Sequence, residues 1–264
     1  MICSVVVLVI LLALTLFDTQ GLRFYATLLT TIFVFLLIVI LFLKFEESSI
    51  SSKEVALIGI LAAVTAASRI PFAALPNIQP CTFIIMATGL VFGPLAGVMV
   101  GSLTALVSNM FLGQGPWTLW QMAGWGLVGF IAGIIGMRFP NLGIKGLAVL
   151  GVVFGLLYNI LLDFSSWIWL YGLDATKFLL VFSMGLPFGI LHSVGNMIFS
   201  ITLGSPLLFV LRRFKKRFRV TIVQGKNIEN SIDLFKIADE KIVRRDTLNS
   251  SVNPNHRERD WDAK

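Results

Sequence analysis

Residues 95–112 read LAGVMVGSLTALVSNMFL, residues 117–137 read WTLWQMAGWGLVGFIAGIIGM, and only Gly113-Gln114-Gly115-Pro116 separates them. Neither run holds an acidic or basic side chain, and each has about the 20 mostly apolar residues that a helix needs to cross a bilayer. Reading them as consecutive membrane spans sets the class of the whole chain. Of its 264 residues 56% are hydrophobic and 13% are charged, and the mean hydropathy is +0.87. Soluble domains carry roughly 25% charged residues. Here charge is nearly absent from long stretches and crowded into short ones, as expected when part of the solvent is lipid. The fold class predicted is an all-α membrane protein.

Towards the N-terminus, residues 2–17 and 24–43 read as a hairpin of spans, the first of them short. Residues 1–17 lack a basic leader and a small-x-small cleavage site, so this segment is expected to be retained, not removed as a secretory signal. A polar linker follows at 44–53. Six apolar segments come next: 54–68, 81–92, 95–112, 117–137, 147–169 and the overlong 178–211. Pro187 and Pro206 lie inside the last, and a proline frees a carbonyl that lipid cannot satisfy, so a kink or a split is expected there. Beyond Val220 the composition turns polar and mixed in charge, which predicts a short soluble appendage and then disorder at 249–264. The expected domains are thus a membrane hairpin (1–43), a cytoplasmic linker (44–53), a six-helix membrane domain (54–219) and a polar cytoplasmic tail (220–264).

The net charge of +7 reads as an orientation signal, not a nucleic-acid footprint, because its densest part, Arg212 to Arg219, directly follows an apolar helix. With eight spans, Lys44, Lys53, Arg138, Lys145 and the Arg212–Arg219 cluster share one side with both termini. Arg23, Arg69 and Lys177 are left on the other. The positive-inside rule places the first set in the cytoplasm of a multi-pass cell-membrane protein.

Depth then singles out residues near the outer ends of the helices. Asn109, Gln114, Trp117, Trp120 and Gln121 cluster around the link between the two quoted runs. Asn159 and Asp163, four apart on one helix face, are joined at that depth by Arg69, Asn77 and Gln79, which flank or occupy the first outer loop. Buried amides and a carboxylate are costly in lipid unless they face a cavity or one another. Two readings stand side by side: a pocket of apolar walls with a few orienting polar groups, or an aromatic belt (for Trp167 and Trp169) with helix–helix hydrogen bonds. His192 and Asn196 form another pair four apart. With no second histidine in the membrane region, His192 reads as a packing group, and no metal site is expected. Cys3 and Cys81 lack ligand or redox spacing and read as small apolar residues. Ala62/Ala66 and Ala63/Ala67 are small-x-x-x-small pairs that allow close helix approach. Gly97, Gly101, Gly126, Gly129 and Gly133 read as internal packing.

No phosphate loop, zinc-hydrolase motif or nucleophile elbow occurs in the sequence, and intramembrane carboxylates are too few for a proton relay. An enzyme is therefore not expected, nor a cofactor of its own.

Six helices with both ends cytoplasmic, the alanine pairs, Arg69 followed by Pro76-Asn77-Ile78-Gln79-Pro80, and the run from Gly113 to Met122 resemble the substrate-binding S component of energy-coupling factor (ECF) vitamin transporters. The segment from Pro187 to Asn196 is similar to members associated with corrinoids. The resemblance covers about residues 53–219. It implies capture of a vitamin from outside, with cobalamin or another corrinoid preferred over riboflavin or another vitamin. It also implies delivery with a separate transmembrane coupling subunit and two cytoplasmic ATPases. Arg69, Asn77, Gln79, Asn109, Gln114, Trp117, Trp120, Gln121, Asn159, Asp163, His192 and Asn196 then match the ligand side, and Ala62, Ala63, Ala66 and Ala67 the coupling face. The N-terminal hairpin and the tail depart from that pattern. An autonomous secondary transporter would need inverted repeats with broken helices, for which no internal repeat speaks. A ligand-free membrane scaffold is the remaining alternative.

The orientation makes a direct prediction. A reporter fused after Lys264 is expected to be active only as a cytoplasmic marker, and activity as an exported marker would overturn the assignment of sides.

Overall fold

A computed structural model describes the backbone of residues 20–47, 51–172 and 174–252, and the surroundings of side chains at 28–47, 51–172 and 174–217. Among the described residues there are seven α-helices: α1 (Gln20–Glu46), α2 (Ser52–Arg69), α3 (Cys81–Phe92), α4 (Pro94–Leu112), α5 (Trp117–Arg138), α6 (Ile144–Tyr171) and α7 (Phe178–Val252), the last preceded by a 3₁₀ turn (Ala175–Lys177). No strand occurs among the described residues. The protein is an all-α membrane protein. The expected span at 2–17 lies outside the described residues.

Local chemistry explains the boundaries. Ser51 and Glu54 close a reciprocal capping box at the start of α2, Ser51 N donating to Glu54 Oε2 at 3.0 Å and Glu54 N to Ser51 Oγ at 3.3 Å. That satisfies two donors that a helix start otherwise leaves orphaned. Gly93, at φ +102°, turns the chain between α3 and α4, with Pro94 pre-set at the first helical position. A side chain is strained at that φ, so glycine is the residue for the joint.

Among the described residues five helices are long and apolar enough to cross a membrane: 28–46 in α1, α4, α5, α6 and the stretch 175–217. The other two fall short for physical reasons. Helix α2 carries Lys53, Glu54 and Arg69 in its 18 residues. Helix α3, with 12 residues, rises only about 18 Å against a hydrocarbon core of roughly 30 Å. The expected split of the last segment does not occur, since α7 is helical through both Pro187 and Pro206.

Two compact units are distinguished, Met1–Lys215 and Lys216–Lys264. In the second, the backbone is helical as far as Val252, so residues 249–252, expected to be disordered, are helical, and 253–264 lie outside the described residues.

Within the first unit, α5 is the hub. Its glycines line up at intervals of three and four, Gly126, Gly129, Gly133 and Gly136. A methyl group added at any of them would run into, in turn, the Ser102 hydroxyl, the backbone of Gly97, the backbone of Pro94 or Gly93, and the backbone of Leu90. Helices α3 and α4 therefore meet α5 almost backbone to backbone, the contact mode that small residues permit in membranes. Helix α2 lies mainly on α4. Ala62 and Ala66, each 2% exposed, are part of that interior.

Gly129→Val is expected to lower unfolding stability by about 1–3 kcal/mol through overpacking. Gly59→Ala, inside α2 where an added methyl meets nothing within 4 Å, serves as the control and should not lower stability. Thermal unfolding of both proteins in the same detergent checks this.

Candidate functional site

The end of α2, the following loop, the starts of α3 and α5, the end of α4, and parts of α6 and α7 bring their polar residues together. Arg69 is the anchor. Its side chain is buried, Nε donates to Gln79 Oε1 at 2.8 Å, and Nη1 donates to Asn109 Oδ1 at 3.1 Å and to Ser108 Oγ. Asn109 passes the connection to α5, its Nδ2 donating to Gln121 Oε1 at 2.7 Å and Thr118 Oγ1 at 3.0 Å. The guanidinium also lies against the ring of Trp125, 4.6 Å from its centroid, a favourable cation–π placement. Trp125 in turn stacks nearly parallel on Tyr158 of α6, at 4.5 Å and 6°.

From Trp125 a second chain of hydrogen bonds leads to α7. Trp125 Nε1 donates to Thr82 Oγ1 at 2.8 Å. Thr82 Oγ1 and His192 Nε2 are 2.8 Å apart, and His192 Nδ1 is 2.7 Å from the carbonyl oxygen of Asn77. A carbonyl only accepts, so Nδ1 carries the hydrogen and Nε2 accepts from Thr82. Asn77 sits at φ +58°, a left-handed conformation that asparagine tolerates better than most residues. Its Nδ2 donates to Asn159 Oδ1 and to the Phe188 carbonyl, both at 3.1 Å. Asn159 Nδ2 donates to Asp163 Oδ2 at 2.9 Å and to the Gly185 carbonyl at 3.1 Å.

Arg69, Asn77, Gln79, Asn109, Gln121, Asn159, Asp163 and His192 are thus brought into one connected group. Gln114 stands at its edge, exposed, with Nε2 donating to the Leu106 carbonyl at 3.0 Å and Oε1 accepting from Thr118 Oγ1 at 2.9 Å. Asn196 lies one turn along α7 from His192, its Nδ2 donating to the His192 carbonyl at 2.8 Å. Trp120 is buried and packs edge-on against Phe164 at 6.4 Å. Trp117 does not join the group. It is 49% exposed, and its ring lies over Gly115, because the turn after Pro116 directs the first residue of α5 outward.

The alanine face is divided. Residues four apart share a helix face, so with Ala62 and Ala66 turned inward, Ala63 and Ala67 stay exposed. Ala62 and Ala66 therefore belong to the packed interior, and of the four alanines read from the sequence Ala63 and Ala67 lie at the surface.

Several members of the cluster escape a sequence reading: Ser108, Thr82, Trp125, Tyr158, and the glycines Gly185 and Gly189. A methyl at Gly185 would collide with the Asp163 carboxylate, and one at Gly189 would crowd the Asn159 amide. The spacing holds a usable signal, because Gly185/Gly189 on α7 repeats the four-residue interval of Asn159/Asp163 on α6. Among the described residues, the buried polar atoms Trp120 Nε1 and Asn196 Oδ1 have no hydrogen-bond partner. At the opposite end of α2, α3 and α4 is a cavity of about 260 Å³, walled by Leu57, Leu61, Thr88, Phe92 and Ala96 with Glu54 among its lining residues.

Similarity to known proteins agrees with this architecture. A UPF0397 protein of Vibrio atlanticus is 30% identical over 96 residues, which are 34% of this chain and 52% of the relative. A UPF0397 protein of Aliivibrio fischeri is 29% identical over 98 residues, 35% and 53% of the two chains. The chain spans about half the length of the curated relatives it matches. No solved structure matches it. The model of one family, described as the ECF-type riboflavin transporter S component, matches residues 49–213. That is more than half of the chain and holds the whole polar cluster, and the protein belongs to this family of ECF transporter S components.

Proposed function

We propose that the chain is the substrate-capture subunit of an ECF-type ABC transporter. It takes a vitamin-class molecule at the Arg69 end of the bundle and depends on a separate transmembrane coupling subunit and two ATPases for energy. In this reading residues 54–219 are the capture domain, both termini are cytoplasmic and the Arg69 end faces outward. The observation that carries it is Trp120 Nε1, a buried indole N–H left without an acceptor beside a cluster in which the other amides and the guanidinium are extensively paired. An unsatisfied buried donor is rare enough to call for a reason. The atom is sealed in this structure, and the reading takes a carbonyl or amide oxygen of a captured ligand to reach it as the side chains around it part.

The family description names riboflavin, whereas the Pro187–Asn196 segment resembles members associated with corrinoids. Both ligands offer carbonyl acceptors, and the corrinoid stays the preferred candidate on that resemblance. Coupling to the partner subunit is assigned to the exposed Ala63 and Ala67, since small residues let a second helix approach closely. The alternative, a ligand-free scaffold, draws on the many hydrogen bonds the cluster makes within itself.

Two experiments separate these readings. Trp120→Phe keeps the ring wall and removes the N–H, and is expected to weaken binding of the vitamin that the purified protein selects from a panel by about three- to thirty-fold. Unchanged binding by Trp120→Phe, Asn109→Ala and Gln121→Ala alike would assign the cluster to helix packing. For coupling, Ala63→Leu combined with Ala67→Leu should abolish most uptake in cells carrying the full transporter while the purified variant still binds. Loss of binding together with uptake would make these alanines structural.

A further inference from the structure

Among the described residues no acidic group pairs with the charge of Arg69. A guanidinium has five N–H donors. Three are engaged, Nε–H by Gln79 and the two on Nη1 by Ser108 and Asn109, and all three acceptors are uncharged. The Trp125 ring adds polarisation but no negative charge. Among the described residues no carboxylate lies within ion-pair distance of Arg69. The acidic member of the cluster, Asp163, is held by Asn159 and packed over Gly185. The remaining nitrogen, Nη2, makes no hydrogen bond, yet it is not among the sealed, unpartnered polar atoms. Nη2 is therefore not fully sealed, although Arg69 as a whole is only 6% exposed.

Burying an ion without a counter-ion is costly, more so near lipid, and a side chain pinned on one edge by three neutral acceptors presents the other edge in a fixed direction. Resting on the capture reading above, we infer that the substrate carries an anionic group, a carboxylate or a phosphate, that docks on the free Nη2 edge of Arg69. Gln79, Ser108 and Asn109 act as positioning residues that aim the guanidinium, and Trp125 supports it from below. Arginine suits this role because its donors match the oxygens of both anions in the same planar geometry. The inference also ranks the two named candidates. A cobalamin carries a phosphodiester in its nucleotide loop, while riboflavin is neutral and only its phosphorylated form fits.

The test uses the purified full chain in lipid nanodiscs and matched probes that differ in the anion: cobinamide phosphate against cobinamide, FMN against riboflavin, nicotinate against nicotinamide, and biotin against biotinamide. Isothermal titration is expected to show one anionic member bound about ten- to a hundred-fold more tightly than its partner lacking the anion, the range for a charge-assisted hydrogen-bonded contact. The pair that responds tells phosphate from carboxylate. Arg69→Gln should bring the two members of that pair within about three-fold of each other, while Arg69→Lys keeps part of the preference. The wild-type comparison needs no substitution and decides the matter if Arg69→Gln fails to fold. Equal binding of both members of every pair that binds, with Arg69→Gln leaving affinity unchanged, would overturn the anion and leave the capture reading standing. Failure of every probe to bind would overturn both.

Discussion

A permanently charged side chain at the end of a bundle that borders hydrocarbon has to be solvated by protein, and the cost of Arg69 organises this molecule. Water would supply several acceptors at no ordering cost. Here Gln79, Ser108, Asn109 and the Trp125 ring do so, and they come from three different places in the chain. One side chain thus ties the end of α2 to the first loop, the end of α4 and the first half of α5. Asn109 extends the tie to Gln121 and Thr118. Trp125, Thr82, His192 and Asn77 carry it to α7 and α6. A break anywhere in this chain would strand a donor in a medium that offers no replacement.

That convergence requires the helix ends to stand close together, and the glycine rows of α5 make it possible. Amide side chains reach only a few ångströms, so Asn109 meets Gln121 only when α4 and α5 are in near backbone contact along their length. Gly97 against Gly129 and Pro94 against Gly133 set that spacing towards the other end. The same device recurs between α6 and α7, where Gly185 and Gly189 leave space for Asp163 and Asn159. Packing by small residues and hydrogen bonding by amides are therefore two halves of one design: the first fixes the distance that the second uses.

This division accounts for what could be read from the sequence. The class of fold was legible because an uncharged apolar run of span length is at home in lipid and hard to place in a water-soluble domain. Asn109, Gln121, Asn159 and Asp163 were legible as candidates because amides and carboxylates are conspicuous where lipid is expected. Ser108 and Thr82 were not, since helical serines and threonines commonly bond back to a carbonyl one turn away, as Ser108 does to Thr104 at 2.6 Å, and composition cannot tell which of them also serve a neighbour. Trp117 and Trp120 look alike in sequence, yet one is half exposed and the other buried, because the outcome hangs on the turn at Gly115 and Pro116. The alanine pairs show the same limit. Periodicity finds two faces of α2 rich in small residues, and only the packing of α4 decides which is already occupied. The length of α3 was legible, but its shortness carried no weight until its 12 residues were set against the thickness of a bilayer.

Helix α2 then emerges as the element through which the proposed capture and coupling events would communicate. It ends in Arg69, whose partners form the cluster, and it begins at the Ser51/Glu54 capping box, with Glu54 lining the cavity at the opposite end. Between the two, Ala62 and Ala66 are buried while Ala63 and Ala67 are exposed. A ligand that pulls on the guanidinium would pull on the last turn of this helix directly and on α4 through Ser108 and Asn109. On this reading the exposed alanines would present a different surface when the site is filled. One helix would in this way link capture to coupling, from Arg69 at its end to the surface alanines along its side.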